Sequence, residues 1–408
     1  MKQQKRIAMF GGTFNPIHNA HINLALAFIK KLKLDKLLLI PTGVPPHKTD
    51  LDIIYGEHRL NMCRLAVQDY KKIEVSDIEV KRGGKSYTAD TLRQLKEIYP
   101  DSEFFVIMGA DMYMTLDTWH EPDTIFSLAT VCTVPRNNDE LEQLNAKESE
   151  YSKRGCKTII LDLKKSDISA TKIRKTVFND GVITKYVDPK VEKYIYANYL
   201  YMNKAVINYE RFDKVLKARM GEKRYIHSVN VATEAKRLAT KYGADVEKAR
   251  LAGILHDIAK ETPADEQLKI IQRAYIKLND VESQSPKLWH AIAGAAFVRY
   301  FMGIEDEDVF NAIRYHTSGR ANMSLLEKCI FIADFTGAER DYDGVDEMRA
   351  LANQSLEDAM TYGLSFSISD LAKRRLAIDP NSLACYNEMV LKAAANNKKT
   401  SNNEKNTK

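Results

Sequence analysis

Short apolar runs alternate with helical patterns through the first half of the chain. "RIAMFGG", "KLLLIPTG", "KIEVSDIEV", "EFFVIMGAD", "TVCTVPR" and "TIILDL" read as strands. Between them, "HINLALAFIKKL", "GEHRLNMCRLAVQDY" and "TADTLRQLKEIY" read as helices. Such alternation predicts an α/β, Rossmann-like domain with a mostly parallel sheet, helices on both faces and ligands at the carboxyl ends of the strands. After about residue 200 the strand pattern stops. "NYERFDKVLKARM", "HSVNVATEAKRLATKYG" and "KARLAGILHDIAK" carry apolar residues at three and four spacing, which predicts an all-α helical bundle. The change of period sets domains at 1–203 and 204–395, with "PKVEKYIYANYLYMN" closing the first. The polar stretch "NNKKTSNNEKNTK" (396–408) is expected to be a disordered tail.

Composition narrows the class. A chain of 408 residues is too long for one ordinary core, and 44% hydrophobic with 28% charged residues is a globular balance. Sixty-one Lys and Arg against 55 Asp and Glu leave +6, enough to attract nucleotides, and no aromatic-rich basic motif points to nucleic acid. The five cysteines are scattered, without a CxxC pair, which fits a reducing compartment. "MKQQKR" leads into only four apolar residues before the glycines, far short of a secretory core. No apolar run approaches the roughly 18 residues that span a bilayer. The expectation is a cytoplasmic protein with no membrane or nucleic-acid partner, and a homo-oligomer stays open.

The first candidate chemistry lies in "IAMFGGTFNPIHNAH" (7–21). Gly11 and Gly12 let the backbone turn sharply and approach a ligand, and the helix that follows points free N–H groups at the same place. His18 and His21, three apart, project from one face of its first turn and can meet phosphates as N–H donors or as cations.

The segment resembles the signature of the HxGH nucleotidyltransferases, specifically bacterial nicotinate-mononucleotide adenylyltransferases. "PTGVPPHK" (41–48), "GKSYTADTL" (84–92), "IMGADMYMTLDTWHE" (107–121) and "ISATKIRK" (168–175) match in order. The resemblance implies transfer of AMP from ATP to nicotinate mononucleotide, with Mg²⁺ carried on the ATP. It implies that His18, His21, Lys48 and Arg174 act on the phosphates, helped by His47. Gly11, Gly12, Thr13, Phe14, Gly109, Asp111, Ser169, Thr171 and Ile173 would line ATP. Asn15, His47, Lys48, Thr88, Trp119 and His120 would meet nicotinate mononucleotide, Trp119 by stacking on the pyridine. Ser169 and Thr171 are also N-cap candidates. Asn15, Ala20 and Ala170 depart from the Asp, Gly and Ser usual in the family.

The second candidate site gathers every histidine of the helical half: His227, His256, His290 and His316. Asp257 follows His256 directly inside "LAGILHDIAK", and Asp334 lies in "CIFIADFTGAER". Imidazoles with carboxylates suit Fe, Mn or Zn rather than Ca or Mg. Apolar helices would otherwise have to satisfy each polar group separately.

These residues resemble the HD phosphohydrolase superfamily, and "RYIHSVNVA", "LAGILHDIAKE" and "IADFTGAERDY" are similar to its symmetrical diadenosine tetraphosphatases. The resemblance implies two transition-metal ions, iron or alternatively manganese, on His227, His256, Asp257, His290, His316 and Asp334, with Asp257 bridging. It implies hydrolysis of diadenosine tetraphosphate to two ADP, Asp257 and Lys260 being catalytic. A solvated helix-end lysine is the bland reading of Lys260. Hydrolysis of another nucleotide, or a regulatory nucleotide-binding module, is the alternative for this half.

Overall fold

The computed structural model describes residues 4–44, 53–135, 138–163 and 167–406, with side chains of the last helix described to residue 395. Contacts divide the chain into Met1–Tyr196 with Leu200–Asn203, and Ala197–Tyr199 with Lys204–Lys408.

The first unit is built on six parallel strands: β1 (Lys5–Gly12), β2 (Lys36–Pro41), β3 (Ile73–Val75), β4 (Ser102–Ile107), β5 (Thr130–Thr133) and β6 (Thr158–Ile160). Their order is β3-β2-β1-β4-β5-β6. The direction of winding reverses between β1 and β4, and the crevice at the carboxyl ends of these two strands is where such sheets bind ligands. Ile7, Ala8, Met9 and Phe10 of β1 are all buried, as expected of a central strand covered by helices on both faces. Phe10 is in register with Ile107, so Gly11 and Gly12 leave the sheet beside Met108 and Gly109.

Two elements differ from the pattern read in the sequence. "KIEVSDIEV" is not one strand: it ends at Val75, and Ile78–Arg82 forms a short helix. Glu79 is thereby buried, where a continuous strand would have alternated it outward. Asn138–Ser152 is a helix that its polar composition hides; Leu144 and Tyr151 are its buried residues.

Among its described residues the second unit contains helices joined by turns and no strand. Side chains of Asn208, Asp245, Asp306, Ser324 and Ser355 accept backbone N–H bonds at the starts of five of its helices, so the breaks are written in capping residues. The helices Glu222–Tyr242 and Val246–Leu255 pack closely at Gly253, where a Cβ would lie 2.7 Å from Ala232 Cα. The last helix, Pro380–Asn406, continues into the segment expected to be a disordered tail; neither Gly nor Pro interrupts the chain after Pro380. Among the described residues no helix is long and apolar enough to cross a membrane.

Candidate functional sites

In the first unit, a cavity of about 370 Å³ opens at the carboxyl ends of β1 and β4. It brings together Gly11, Gly12, Thr13, Thr88, Gly109, Asp111, Trp119 and His120, drawn from three of the matched segments. Gly12 is required by packing: a Cβ there would stand 2.9 Å from the Phe14 ring. Phe14 is buried and held in the left-handed region at φ 46°, so its side chain shapes the turn from beneath. His120 leans on Tyr87, with ring centroids 4.4 Å apart.

His18 and His21 stack at 3.6 Å between ring centroids at the start of the helix Asn19–Lys31. The His18 backbone N–H donates to His21 Nδ1 at 3.2 Å. Neutral His21 therefore carries its hydrogen on Nε2 as a donor. Burial pushes His18 down to about 4, against a backbone hydrogen bond that raises it. Burial, with His18 alongside, likewise lowers His21 well below its ordinary value. Both rings are neutral at pH 7 and offer N–H groups rather than charge. His18 Nδ1 is a buried atom without a hydrogen-bond partner.

The segment around "ISATKIR" reaches the same turn. Arg174 Nη1 donates to the Asn15 carbonyl at 3.0 Å, and the Asn15 side chain accepts from Tyr201 Oη at 2.8 Å. Ser169 is the N-cap of Ala170–Phe178 and accepts from Lys172 N–H, whereas Thr171 lies inside the helix beside Arg174. Ile173 is fully buried, so its side chain packs in the core of the unit. His47 and Lys48 lie outside the described residues.

Arg59 gives no signal in the sequence beyond an ordinary helical arginine. It is 1% exposed, and its guanidinium donates to the carbonyls of Ile54, Thr13 and Gly43 at 3.1, 2.9 and 3.0 Å. It ties the loops after β1 and β2 into one rim. Glu79 on the cavity wall is the other residue that the sequence conceals: burial raises its carboxyl, against bonds from Thr91 and Ser86.

In the second unit, His227, His256, Asp257, His290, His316 and Asp334 converge from separate helices and turns into three overlapping groups of ligand atoms. Within each group the ligand atoms lie within 4.8 Å of one another, close enough for one cation to meet them. Nδ1 of His256, His290 and His316 lies 2.8, 2.8 and 2.7 Å from the carbonyl of the residue three before it. A carbonyl accepts only, so each Nδ1 carries the hydrogen and each Nε2 lone pair points inward. His227 Nδ1 donates to Glu339; burial would lower this imidazole, but Asp334 and Glu339 together raise it above its ordinary value.

Asp257 faces both sides of the cluster. Its Oδ2 lies 3.7 Å from His227 Nε2 and 3.5 Å from His256 Nε2, while its Oδ1 lies 3.4 Å from His290 Nε2 and 3.5 Å from His316 Nε2. Oδ1 is buried without a hydrogen-bond partner, an orphan that a cation would satisfy. Asp334 Oδ1 stands 3.1 Å from His227 Nε2. Burial lowers His256 to about 4 and His290 to about 3, keeping their lone pairs free at neutral pH. Burial alone would raise the carboxyl of Asp257, but His256, His316 and Lys260 hold it well below the usual range.

Lys260 is brought to this site by a turn rather than by helix continuation, because the helix ends at Leu255. Its Nζ lies 3.0 Å from His290 Nε2 and 3.9 Å from Asp257 Oδ1. Glu339, Arg224 and Arg340 also reach the cluster; they lie inside the matched segments "IADFTGAERDY" and "RYIHSVNVA" but were not singled out there.

Comparison with known proteins finds a separate match in each half of the chain. A cytidylyltransferase-like family model matches residues 9–176, and an HD domain model matches residues 224–338. An HD domain binds divalent metal, and the imidazole and carboxylate cluster supplies the donors. The chain is 39% identical over 199 residues to a probable nicotinate-nucleotide adenylyltransferase of Clostridium acetobutylicum, covering 48% of this chain and 100% of that protein. It is 40% identical over 184 residues to a symmetrical bis(5'-nucleosyl)-tetraphosphatase of Bacillus subtilis, covering 45% of this chain and 98% of that one. A Mycoplasma genitalium protein named as a probable nicotinate-nucleotide adenylyltransferase/Ap4A hydrolase is 29% identical over 380 residues, 91% of this chain and 100% of its own length. The chain thus belongs, over its first unit, to the nicotinate-nucleotide adenylyltransferases and, over its second, to the symmetrical bis(5'-nucleosyl)-tetraphosphatases with an HD domain.

Proposed function

We propose that the chain is a bifunctional enzyme of NAD biosynthesis whose first unit transfers AMP from ATP to nicotinate mononucleotide. The observation that carries this reading is the cavity at the β1/β4 crevice, with Trp119 and Thr88 on its wall and the two glycines on its rim. A phosphate oxygen of the mononucleotide attacks the α-phosphorus of ATP. The bond from that phosphorus to the bridging oxygen breaks, and pyrophosphate leaves. Such a transfer asks the protein for alignment and for stabilisation of charge on the leaving group. His21 Nε2–H, the His18 ring, the helix-start N–H groups and Arg174 supply donors for the phosphates, with Lys48 and His47. Gly109, Asp111, Ser169, Thr171 and the Ile173 backbone lie along the adenosine, and Thr13 and Phe14 fix the turn. Trp119 stacks on the pyridine, with Asn15, Thr88 and His120 toward the acceptor. Mg²⁺ enters with ATP. Assay of nicotinate mononucleotide beside nicotinamide mononucleotide and phosphopantetheine tests the reading: faster turnover of the nicotinate form is expected, and its absence overturns it.

The second unit hydrolyses diadenosine tetraphosphate symmetrically to two ADP. The carrying observation is the placement of the two Asp257 oxygens, one toward each histidine pair, which suits a carboxylate bridging two ions. Iron fits the donor set, with manganese as alternative. When bound, the ions supply charge neutralisation at phosphorus and a nucleophilic water at neutral pH. His227, His256, His290, His316 and Asp334 would hold the ions together with Asp257, and Lys260 would meet a substrate phosphate. Product analysis tests the symmetry: ADP alone is expected, and AMP with ATP overturns it. The five cysteines are free and buried, which supports the cytoplasm as the compartment.

A further inference from the structure

Three cations stand at the mouth of the second unit's cluster, and each touches an atom of the ligand set. Arg224 Nη1 donates to Asp257 Oδ2 at 2.8 Å, Lys260 Nζ lies 3.0 Å from His290 Nε2, and Arg340 donates to Asp334 Oδ1. The side chains of Arg224, Lys260 and Arg340 are 29%, 36% and 33% exposed, while Asp257 beneath them is 3% exposed. They therefore form the solvent side of the site. Arg224 precedes His227 by three residues on the helix Glu222–Tyr242, so both side chains face the same way.

We propose that Arg224 and Arg340 bind the polyphosphate chain of the substrate, each sharing its carboxylate, Asp257 or Asp334, with the metal ions; the inference rests on the two-metal phosphohydrolase reading above. The carboxylates of Asp257, Asp334 and Glu339 together cannot balance two divalent ions and three side-chain cations as well. The surplus is met by an anion of several charges, and a tetraphosphate bridge is one. Guanidinium groups suit it because they grip phosphate oxygens two at a time. A carboxylate that commits its charge to metal holds an arginine less tightly and leaves the fork free to turn to phosphate. Asp257 and Asp334 thus keep Arg224 and Arg340 at the mouth until substrate arrives.

The alternative is that the arginines only position the aspartates. The two roles predict opposite effects on metal affinity, which activity alone would not separate. In the full chain, Arg224→Gln and Arg340→Gln should each raise the KM for diadenosine tetraphosphate at least five-fold, by more than any change in kcat. Their Mn²⁺ affinity, measured by chelator competition, should equal or exceed that of the unsubstituted chain. Arg224→Lys, which keeps charge and loses the fork, should recover part of the KM effect. Loss of Mn²⁺ affinity beyond two-fold, or a KM unchanged within two-fold, overturns the proposal. Failure of the unsubstituted, metal-loaded chain to cleave diadenosine tetraphosphate overturns the substrate reading instead, and the Mn²⁺ measurement still decides whether the arginines compete with metal.

Discussion

Glu339 grips His227 across a separation of 112 residues: one carboxylate oxygen accepts from His227 Nδ1, and the other accepts from Asn230 Nδ2 at 2.6 Å. Burial would raise this carboxyl, yet the bonds from His227 and Asn230 hold it below its ordinary value. A carboxylate behind a metal-facing imidazole fixes its tautomer and strengthens it as a donor. Glu339→Gln is expected to weaken Mn²⁺ binding about ten- to hundred-fold, the usual cost of losing such a partner. Chelator competition on the full chain reads this directly; unchanged affinity would show that His227 needs no such support.

The two chemistries should separate by single substitutions. His18→Ala removes a neutral donor from the phosphate turn and should cost adenylyl transfer on the order of a hundred-fold or more, as loss of a transition-state donor does. Hydrolysis of diadenosine tetraphosphate should persist. Asp257→Ala should reverse the pattern. Assaying both activities on each purified variant checks the division, and loss of both from either change in a folded protein would contradict it.

The buried His18 also makes stability depend on pH. Unfolded, it takes a proton near 6.5; folded, it refuses one until about 4. Between those values the unfolded chain binds more protons, so stability falls as pH is lowered from about 6.5 toward about 4. From pH 7 to pH 5 the group should cost on the order of 2 kcal/mol. Urea unfolding of the first unit at both pH values should show a smaller loss in His18→Asn than in the unsubstituted chain. Equal losses would mean that other groups carry the dependence.

Gly253 is required by the close approach of the helix Glu222–Tyr242. A methyl group there meets the backbone of Ala232, which cannot swing aside. Gly253→Ala should destabilise the second unit by about 1–3 kcal/mol through overpacking. It should also impair hydrolysis, because the two helices it forces apart lead to His227 and His256. Thermal unfolding with and without Mn²⁺ measures the first effect. Adenylyl transfer should be untouched.

Much of this was legible because the chemistry uses conspicuous residues in short patterns. The β1 run ending in Gly11 and Gly12, and the four histidines set in or just after helices of the second half, stand out against their surroundings. The split of "KIEVSDIEV" was not legible, since the same three residues, Ile-Glu-Val, form β3 in one copy and a helix in the other. Their difference is set by the sheet they meet. Arg59 was invisible for a related reason: an arginine whose partners are all carbonyls leaves no complementary charge to find in the sequence. Glu339, Arg224 and Arg340 resemble solvated surface residues until folding brings them to the cluster.

The imidazoles of the second unit differ in what aims them. His256, His290 and His316 each hydrogen-bond a carbonyl three residues back, within a single turn of their own chain. Their orientation is a local property, present as soon as that turn forms. His227 alone depends on a residue from a distant segment. A change at Glu339 therefore acts on the aim of His227 from across the fold, whereas the other three imidazoles are aimed from within their own turns.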